Sequence, residues 1–246
     1  MIRFIGGCTI LIGYLILFIP VLLVEWVIGK FNPHAKDISS LRMVQATFKA
    51  ILWTTGAKVT VIGEENVPDD QAVLYIGNHR SYFDILLTYS RCKRLTGYVA
   101  KKEMEKAPLL SIWMKYLHCL FLDREDIRAG LKTILKGIEL IKSGVSICIF
   151  PEGTRNKNKD ELDLLPFHEG SFKMAQKTGC PIVPSAMSNT AEIFENHFPK
   201  FKPAHVIVEY CKPIIISELS KEDQKHLGAY TENVIRETLR KNQELV

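Results

Sequence analysis

From residue 58 onward the chain alternates short apolar, β-branched runs with segments of helical periodicity, and this alternation constrains the fold more than any other feature. The runs predict strands at 59–62, 73–76, 98–100, 117–122, 147–150, 182–187 and 206–210. Helical patterns include 127–143, 172–177 and 220 to about 242. Strands that alternate with helices are typical of a mostly parallel sheet covered by helices. We therefore expect an α/β fold with a mixed, mostly parallel central sheet.

The first part of the chain differs, because Phe4–Val24 is a run of 21 residues without a charged side chain. As a helix, this run would be about as long as the hydrocarbon core of a bilayer is thick. A signal peptide is disfavoured because the run is too long and no A-x-A cleavage site follows it. A buried soluble helix is disfavoured because the run is apolar all round.

An amphipathic helical pattern follows Asn32-Pro33 and ends near Gly56. We therefore expect an N-terminal membrane-associated helix pair over 1–57 and a second domain over 58–246. A hairpin within one leaflet and a spanning helix followed by an interfacial one both fit. Arg3 and Lys30 flank the apolar run too evenly to predict its orientation.

Charge and cysteine content exclude some classes of protein. The net charge of +5, from 32 basic and 27 acidic side chains, is compatible with an anionic membrane, an anionic substrate or nucleic acid. No motif for nucleic-acid recognition accompanies it. The six cysteines include no C-x-x-C pair and no histidine at zinc spacing, which disfavours a structural metal. Their apolar surroundings indicate a reducing compartment, so the second domain is expected on the cytoplasmic face of a membrane.

Polar residues follow the predicted strand 73–76 where it ends, and open α/β sheets bind ligands at such strand ends. Ser81 and Asp84 have the spacing of a capping box, which predicts a helix from Ser81 with His79 just outside it. At this corner His79 can fold back onto Asp84, whose carboxylate would hold one ring nitrogen and leave the other as a general base. The spacing alone also fits a surface histidine beside a capped helix.

A second polar cluster, Pro151-Glu152-Gly153-Thr154-Arg155, follows the predicted strand 147–150. If both strands are parallel, the two clusters reach the same edge of the sheet. Gly153 allows a tight turn or the close approach of a ligand, and Arg155 offers a planar fork for phosphate or carboxylate. Taken alone, the cluster fits a solvated loop equally well.

Three more cations lie near predicted strand ends. Arg124 ends the cluster Phe121-Leu122-Asp123-Arg124 and can bind phosphate or form a surface ion pair with Asp123 or Glu125. Lys101 and Lys102 follow strand 98–100 and fit either a solvated pair or an anion clamp.

In combination these motifs resemble the glycerolipid acyltransferase family, especially its 1-acyl-glycerol-3-phosphate acyltransferases. Asn78-His79-x4-Asp84 is similar to the family's catalytic block, and the segments 121–124, 150–155 and 181–184 are similar to its second, third and fourth blocks. The stretch 167–172 resembles the one that follows the third block. Order and spacing match over roughly residues 58–215. One departure is Cys119, which stands where the second block usually opens with glycine.

The resemblance implies that His79 deprotonates the sn-2 hydroxyl of a lysophosphatidate, that Asp84 orients it, and that the hydroxyl attacks the thioester of acyl-CoA or acyl-carrier protein. It also implies that the 58–246 domain is an acyltransferase domain whose partners are membrane lipids. The family positions that bind the glycerol phosphate correspond to Arg124, Glu152, Gly153, Thr154 and Arg155, with Lys101 or Lys102 as further candidates. No metal or nucleotide cofactor is implied. The chain lacks G-x-S-x-G, so direct transfer is expected rather than an acyl-enzyme.

Three alternatives remain open at this point. The acceptor can be glycerol-3-phosphate or a lysophospholipid with a larger head group. A membrane-anchored lipid-binding protein without turnover is an alternative of another class. A lipid hydrolase is disfavoured because the nucleophile motif is missing.

Overall fold

The computed structural model describes residues 1–246 and begins with three helices. These are α1 (Ile2–Leu17), α2 (Ile19–Phe31) and α3 (Pro33–Thr55). The apolar run expected to form one helix is divided, since the chain bends by 52° between α1 and α2. Pro20 lies in the first turn of α2, where the lack of an N–H does least harm to a helix. Neither α1 nor α2 has the length and hydropathy of a membrane span by itself, but the bent pair taken together has both.

The limits of α3 agree with the sequence signals. Asn32 caps its start by accepting a hydrogen bond from the Ala35 amide at 3.0 Å. Gly56 ends it in the left-handed conformation, with φ of +69°. Leu41, Val44 and Ile51 are at most 5 % exposed, so α3 is part of the core.

A sheet of seven strands forms the centre of the molecule, in the order β1-β7-β6-β2-β5-β3-β4. The strands are β1 (Lys58–Ile62), β2 (Leu74–Gly77), β3 (Thr96–Lys101), β4 (Leu120–Leu122), β5 (Ser146–Ile149), β6 (Ile182–Ser188) and β7 (His205–Tyr210). All neighbouring pairs are parallel except β6 and β7. The predicted mixed, mostly parallel sheet is confirmed. The predicted strand 117–122 is shorter than expected, because Leu117 and His118 belong to the turn that ends a helix.

Six more helices connect or follow the strands. They are α4 (Phe83–Tyr89), α5 (Leu110–Tyr116), α6 (Ile127–Lys142), α7 (Lys173–Thr178), α8 (Lys221–Lys225) and α9 (Leu227–Asn242). The last predicted helix is divided at His226 into α8 and α9. Its predicted cap is confirmed, since the Ser220 hydroxyl accepts a hydrogen bond from the Asp223 amide at 3.1 Å.

Buried clusters cover both faces of the sheet, as the alternation along β6 demonstrates. Ile182 and Ala186 belong to the core beneath α6, α7 and α9. Val183 and Met187 belong to the core beneath α3 and α4. Because side chains alternate along a strand, helices on both faces bury the central strands, whereas the edge strand β1 has no buried residue. Ligands can then reach the parallel strands only at their ends.

Candidate active site

The corner between β2 and α4 brings His79 and Asp84 together. His79 Nδ1 lies 2.8 Å from Asp84 Oδ2, and the carboxylate is fully buried. The imidazole stacks on Phe150 with ring centroids 4.3 Å apart. Since Nδ1 is engaged by the carboxylate, Nε2 is the nitrogen left to accept a proton. The side chain of His79 is 14 % exposed, so a substrate can reach it.

Four donors surround the Asp84 carboxylate. Besides the imidazole, Oδ2 accepts the amides of Arg80 at 2.7 Å and Ser81 at 2.8 Å. Oδ1 accepts the hydroxyl of Thr190 at 2.6 Å. A buried carboxylate is tolerated only when its oxygens are hydrogen-bonded in this way. The arrangement fixes the carboxylate and, through it, the plane of the imidazole.

Glu152, which the resemblance assigns to substrate binding, is engaged with the backbone. Its Oε1 accepts the His79 amide at 2.7 Å, and its Oε2 accepts the Leu165 amide at 3.0 Å. The side chain is buried, and this burial raises the pKa of Glu152 while the two backbone bonds oppose the shift. The geometry therefore gives Glu152 the task of holding the backbone at His79.

Gly153 and Arg124 meet on one side of this cluster. Gly153 has φ of +72°, and a Cβ placed on it would lie 3.5 Å from the His168 ring and 3.6 Å from Arg124 Nη1. Arg124 is exposed and makes no ion pair; desolvation by neighbouring atoms lowers its pKa, and the charge of Glu103 opposes the shift. A cation without a carboxylate partner is suited to bind an anionic ligand. Thr154, the next candidate, is exposed and makes no side-chain hydrogen bond.

Arg155 lies against a different set of residues. Its guanidinium stacks on the Tyr82 ring at 3.7 Å, donates to the Tyr82 hydroxyl at 3.0 Å and pairs with Glu195 at 3.1 Å. It makes no contact of this kind with His79 or Asp84. Only two of its five N–H groups are used, so the others remain available to a ligand.

The two candidate lysines are at the edge of the site. Both are exposed, and Lys102 is paired with Asp123 at 2.7 Å. The surface ion pair with Asp123 that was considered for Arg124 is therefore formed by Lys102 instead. No cluster of three or more His, Cys, Asp or Glu side chains is placed to hold a metal ion.

A cavity of about 620 Å³ opens between the loop 155–159 and the connection from β6 to β7. Its lining includes Arg80, Tyr82, Arg155 and Glu195, together with the loop residues. Glu195 also accepts the Ser81 hydroxyl at 2.6 Å and the Tyr82 amide at 2.8 Å, which ties this wall to the start of α4.

Sequence reasoning missed Thr190 and Glu195. Both come from the connection after β6, more than 100 residues beyond Asp84, so no local spacing connects them to it. One signal was present: β6 is a strand of the same sheet, and polar residues follow its carboxyl end. Polar residues at the carboxyl end of a strand, the signal that points to His79 and Glu152, point to this connection as well.

Comparisons with known proteins identify the family to which this chain is similar. The model of a family described as Acyltransferase matches residues 58–188. The chain is 33 % identical over 190 residues to a 1-acyl-sn-glycerol-3-phosphate acyltransferase of Borreliella burgdorferi, covering 75 % of this chain and 74 % of the relative. It is 34 % identical over 180 residues to the Saccharomyces cerevisiae protein of that name, covering 73 % and 58 %. For the Haemophilus influenzae protein of that name, the identity is 30 % over 209 residues, covering 83 % of each chain.

A solved structure has the same fold. The crystal structure of the 1-acyl-sn-glycerophosphate (LPA) acyltransferase PlsC from Thermotoga maritima superimposes with a TM-score of 0.80. The match covers 98 % of this chain and 95 % of that one, at 23 % sequence identity. The α/β fold with helices on both faces of the sheet is therefore shared between the two proteins, N-terminal helices included.

Proposed function

This chain belongs to the acyltransferase family, and from that premise we propose that it transfers a fatty acyl group from a thioester to the sn-2 hydroxyl of 1-acyl-glycerol-3-phosphate. The product would be phosphatidic acid. The names of the relatives that match most of the chain support this acceptor. The observation that carries the proposal is the 2.8 Å hydrogen bond between His79 Nδ1 and the buried Asp84. It leaves Nε2 as a base at the carboxyl edge of the sheet.

In the proposed mechanism, Nε2 of His79 takes the proton of the sn-2 hydroxyl while the oxygen forms a bond to the thioester carbonyl carbon. The tetrahedral intermediate collapses, the carbon–sulfur bond breaks, and the departing thiolate takes the proton from the imidazolium. The products are an ester and a free thiol, and His79 is neutral again. General-base assistance of this kind contributes about 10²–10⁴-fold to the rate. The reaction as proposed needs the thioester, from acyl-CoA or acyl-carrier protein, and no further cofactor.

We assign the phosphate of the acceptor first to Arg124. Its guanidinium has no carboxylate partner and lies beside Gly153, two residues from Arg155. Arg155 is proposed as a second ligand through the N–H groups that Glu195 and Tyr82 leave free. Glu152 is removed from the proposed ligand set, since two backbone amides occupy its oxygens. Lys101 remains a candidate at the periphery.

We also propose that the protein lies on a membrane through α1 and α2, with the acyltransferase domain on the cytoplasmic side. The two helices and the turn between them expose large apolar side chains, among them Ile2, Ile12, Ile16, Leu17, Leu23 and Phe31. Apolar surface of this extent is favourable only when it is covered. An interfacial position would let a lipid acceptor reach His79 with its acyl chain still in the bilayer.

The test is a kinetic assay of His79→Ala with purified protein, acyl-CoA and acyl-carrier protein as donors, and several glycerol-based acceptors. The variant should lose about 10²–10⁴-fold in kcat and keep its melting temperature. His226→Ala, which removes an exposed histidine between α8 and α9, is the matched control and should keep full activity. Near-normal turnover by His79→Ala would remove His79 from the mechanism. A wild-type preference for glycerol-3-phosphate would refute the proposed acceptor.

A further inference from the structure

The cavity beside Arg155 has no assigned ligand, and we propose that it receives the phosphopantetheine arm of the acyl thioester, with the phosphate of the arm bound by Lys157 and Lys159. The inference rests on the proposed function, because it assigns the donor side of that reaction. CoA and acyl-carrier protein carry the thioester on the same arm, so the cavity would recognise the chemistry that they share.

The position of the cavity suits the donor. The loop that forms its outer wall is anchored beside the general base, since the Asn156 amide donates to the His79 carbonyl at 2.6 Å. The side chain of Arg80, the residue after His79, donates to the Asn158 carbonyl at 2.6 Å and to the Asp160 carbonyl at 3.4 Å. The cavity is lined by Arg80 and Asn156 but not by His79 itself, so an arm that lies along this wall would pass the backbone of His79 before its thioester reached the imidazole.

The charge of the wall is suited to a phosphate. Arg155 is paired with Glu195, and the guanidinium of Arg80 is engaged with backbone carbonyls. Lys157 and Lys159 are exposed, line the cavity and make no ion pair. The uncompensated positive charge of the cavity therefore lies on these two lysines, which can turn towards a phosphate that enters from solvent.

The remaining lining is suited to the amide groups of the arm rather than to an acyl chain. Only four of the twelve lining residues are hydrophobic. The side-chain amides of Asn158 and Asn196 donate to Asp163 and Glu192, and their carbonyl oxygens accept no hydrogen bond. Those oxygens can accept the N–H groups of pantetheine. A volume of about 620 Å³ lies within the range of roughly 300–1,000 Å³ that is usual for small-molecule sites.

The acceptor is the other candidate for this cavity, because lysophosphatidate also carries a phosphate. The reaction brings two phosphate-bearing substrates to one imidazole, so it needs two separate sets of cations. Arg124, which is exposed and makes no ion pair beside Gly153, provides one set. The lysines at 157 and 159 provide the second, and Arg155, the proposed second ligand of the acceptor phosphate, lies in the wall between the two sets.

The experiment measures the kinetics of the full chain with three donors of equal acyl length: acyl-CoA, acyl-carrier protein and acyl-pantetheine, which lacks the phosphate. The variant is Lys157→Ala/Lys159→Ala. Its KM for the phosphate-bearing donors that the wild type uses should rise about tenfold, because two solvent-exposed ion pairs with the phosphate, each of them weak, are lost. Its KM for acyl-pantetheine and for lysophosphatidate should not change. The control is Lys173→Ala/Lys177→Ala on α7, which removes the same charge from exposed positions outside the cavity.

A rise in KM for lysophosphatidate would overturn the inference and assign the cavity to the acceptor. An equal rise in the KM for all three donors would overturn it as well, and so would an unchanged KM for all three. An effect on acyl-CoA alone or on acyl-carrier protein alone would support it and identify the source of the arm. If the wild-type protein acylated lysophosphatidate with none of the three donors, that result would refute the proposed function instead. The cavity is then tested by calorimetry with CoA as the probe, and equal binding to wild type and double variant, or none to either, would overturn the inference.

Discussion

At the scale of single residues, the Asp84 carboxylate depends on groups that lie far apart in the chain. Two of its donors are the amides of Arg80 and Ser81, which the turn before α4 supplies. The third is His79 itself, and the fourth is the Thr190 hydroxyl from beyond β6. The bond from Thr190 fixes Oδ1, so it determines the rotation of the carboxylate about its own axis. We infer that Thr190 is a positioning residue for the imidazole.

Substitution of Thr190 tests this role. Thr190→Val keeps the shape of the side chain and removes the hydroxyl, which leaves Oδ1 without a partner. We expect kcat to fall about 10- to 150-fold, since a hydrogen bond to a buried charge contributes about 1.5–3 kcal/mol. The KM values for both substrates should stay unchanged. Thr190→Ser should keep most of the activity, and an equal loss in both variants would show that the methyl group matters instead of the hydroxyl.

Glu152 offers a second test at this scale. Glu152→Gln replaces one acceptor oxygen by an amide that must face a backbone N–H of His79 or Leu165. We expect the free energy of unfolding to fall by about 1–3 kcal/mol and kcat to fall with it. Glu139→Gln, on the exposed face of α6, is the control and should have no effect. A rise in the KM for lysophosphatidate at unchanged kcat would return Glu152 to the substrate site, as the family resemblance first implied.

Sequence reasoning at the residue scale succeeded where the signal was local. His79 and Asp84 are five positions apart, and the capping pattern of Ser81 and Asp84 allowed their contact without excluding a surface histidine. The helix itself begins at Phe83, two residues later than the predicted start at Ser81. The role of Glu152 was not predictable, because it depends on the pairing of β2 with β5, which brings His79 and Glu152 side by side. The partners of Arg155 and Lys102 were not predictable either, since an ion pair depends on which side chains the fold brings near.

At the scale of helices and strands, the caps that end helices were predicted from the sequence. The break of a helix by a tertiary contact was not. Asn32, Gly56 and Ser220 act within one turn of their own helix, so their effect is visible in the sequence. The break before α9 has a distant cause: the Gly228 amide in its first turn donates to Glu169 Oε1 at 2.9 Å. A helix that begins against such an acceptor cannot be found from periodicity alone.

The apolar face of α1 is predicted to contact the membrane, and substitutions on it test this contact. Ile12 and Ile16 are one turn apart, 55 % and 56 % exposed, and lie on the surface that we propose to contact lipid. Ile12→Lys/Ile16→Lys should lower the partition coefficient onto phospholipid vesicles more than tenfold, because each buried apolar side chain contributes about 1.5–3 kcal/mol. Co-sedimentation with vesicles measures the effect.

The chain supplies a matched control for this test in α6. Leu131 and Leu135 are also one turn apart and similarly exposed, at 56 % and 51 %, but α6 packs on the opposite face of the sheet from α3. Leu131→Lys/Leu135→Lys should leave vesicle binding unchanged. Equal losses in the two double variants would contradict a membrane surface confined to α1 and α2.

At the scale of the whole molecule, the site is built where the carboxyl ends of β2 and β5 meet, and the alternation of strands with helices predicted that edge. The order of the strands was not predictable, because it depends on the long connections. Nor was the antiparallel pairing of β7, which follows from the path of the chain between Thr190 and Ala204. That same path delivers Thr190 and Glu195 to the active edge.

Two truncations test how the N-terminal helices divide between membrane binding and the core. A chain of residues 32–246 lacks α1 and α2 but keeps α3, so we expect it to unfold cooperatively at a lower melting temperature and to lose vesicle binding. A chain of residues 57–246 also loses Leu41, Val44 and Ile51, whose burial contributes about 1.5–3 kcal/mol each. That sum is comparable to the whole stability of a typical domain, about 5–15 kcal/mol, so this chain should show no cooperative transition in calorimetry. If it melted like the longer chain, α3 would belong to the anchor alone, and the acyltransferase domain would begin at β1.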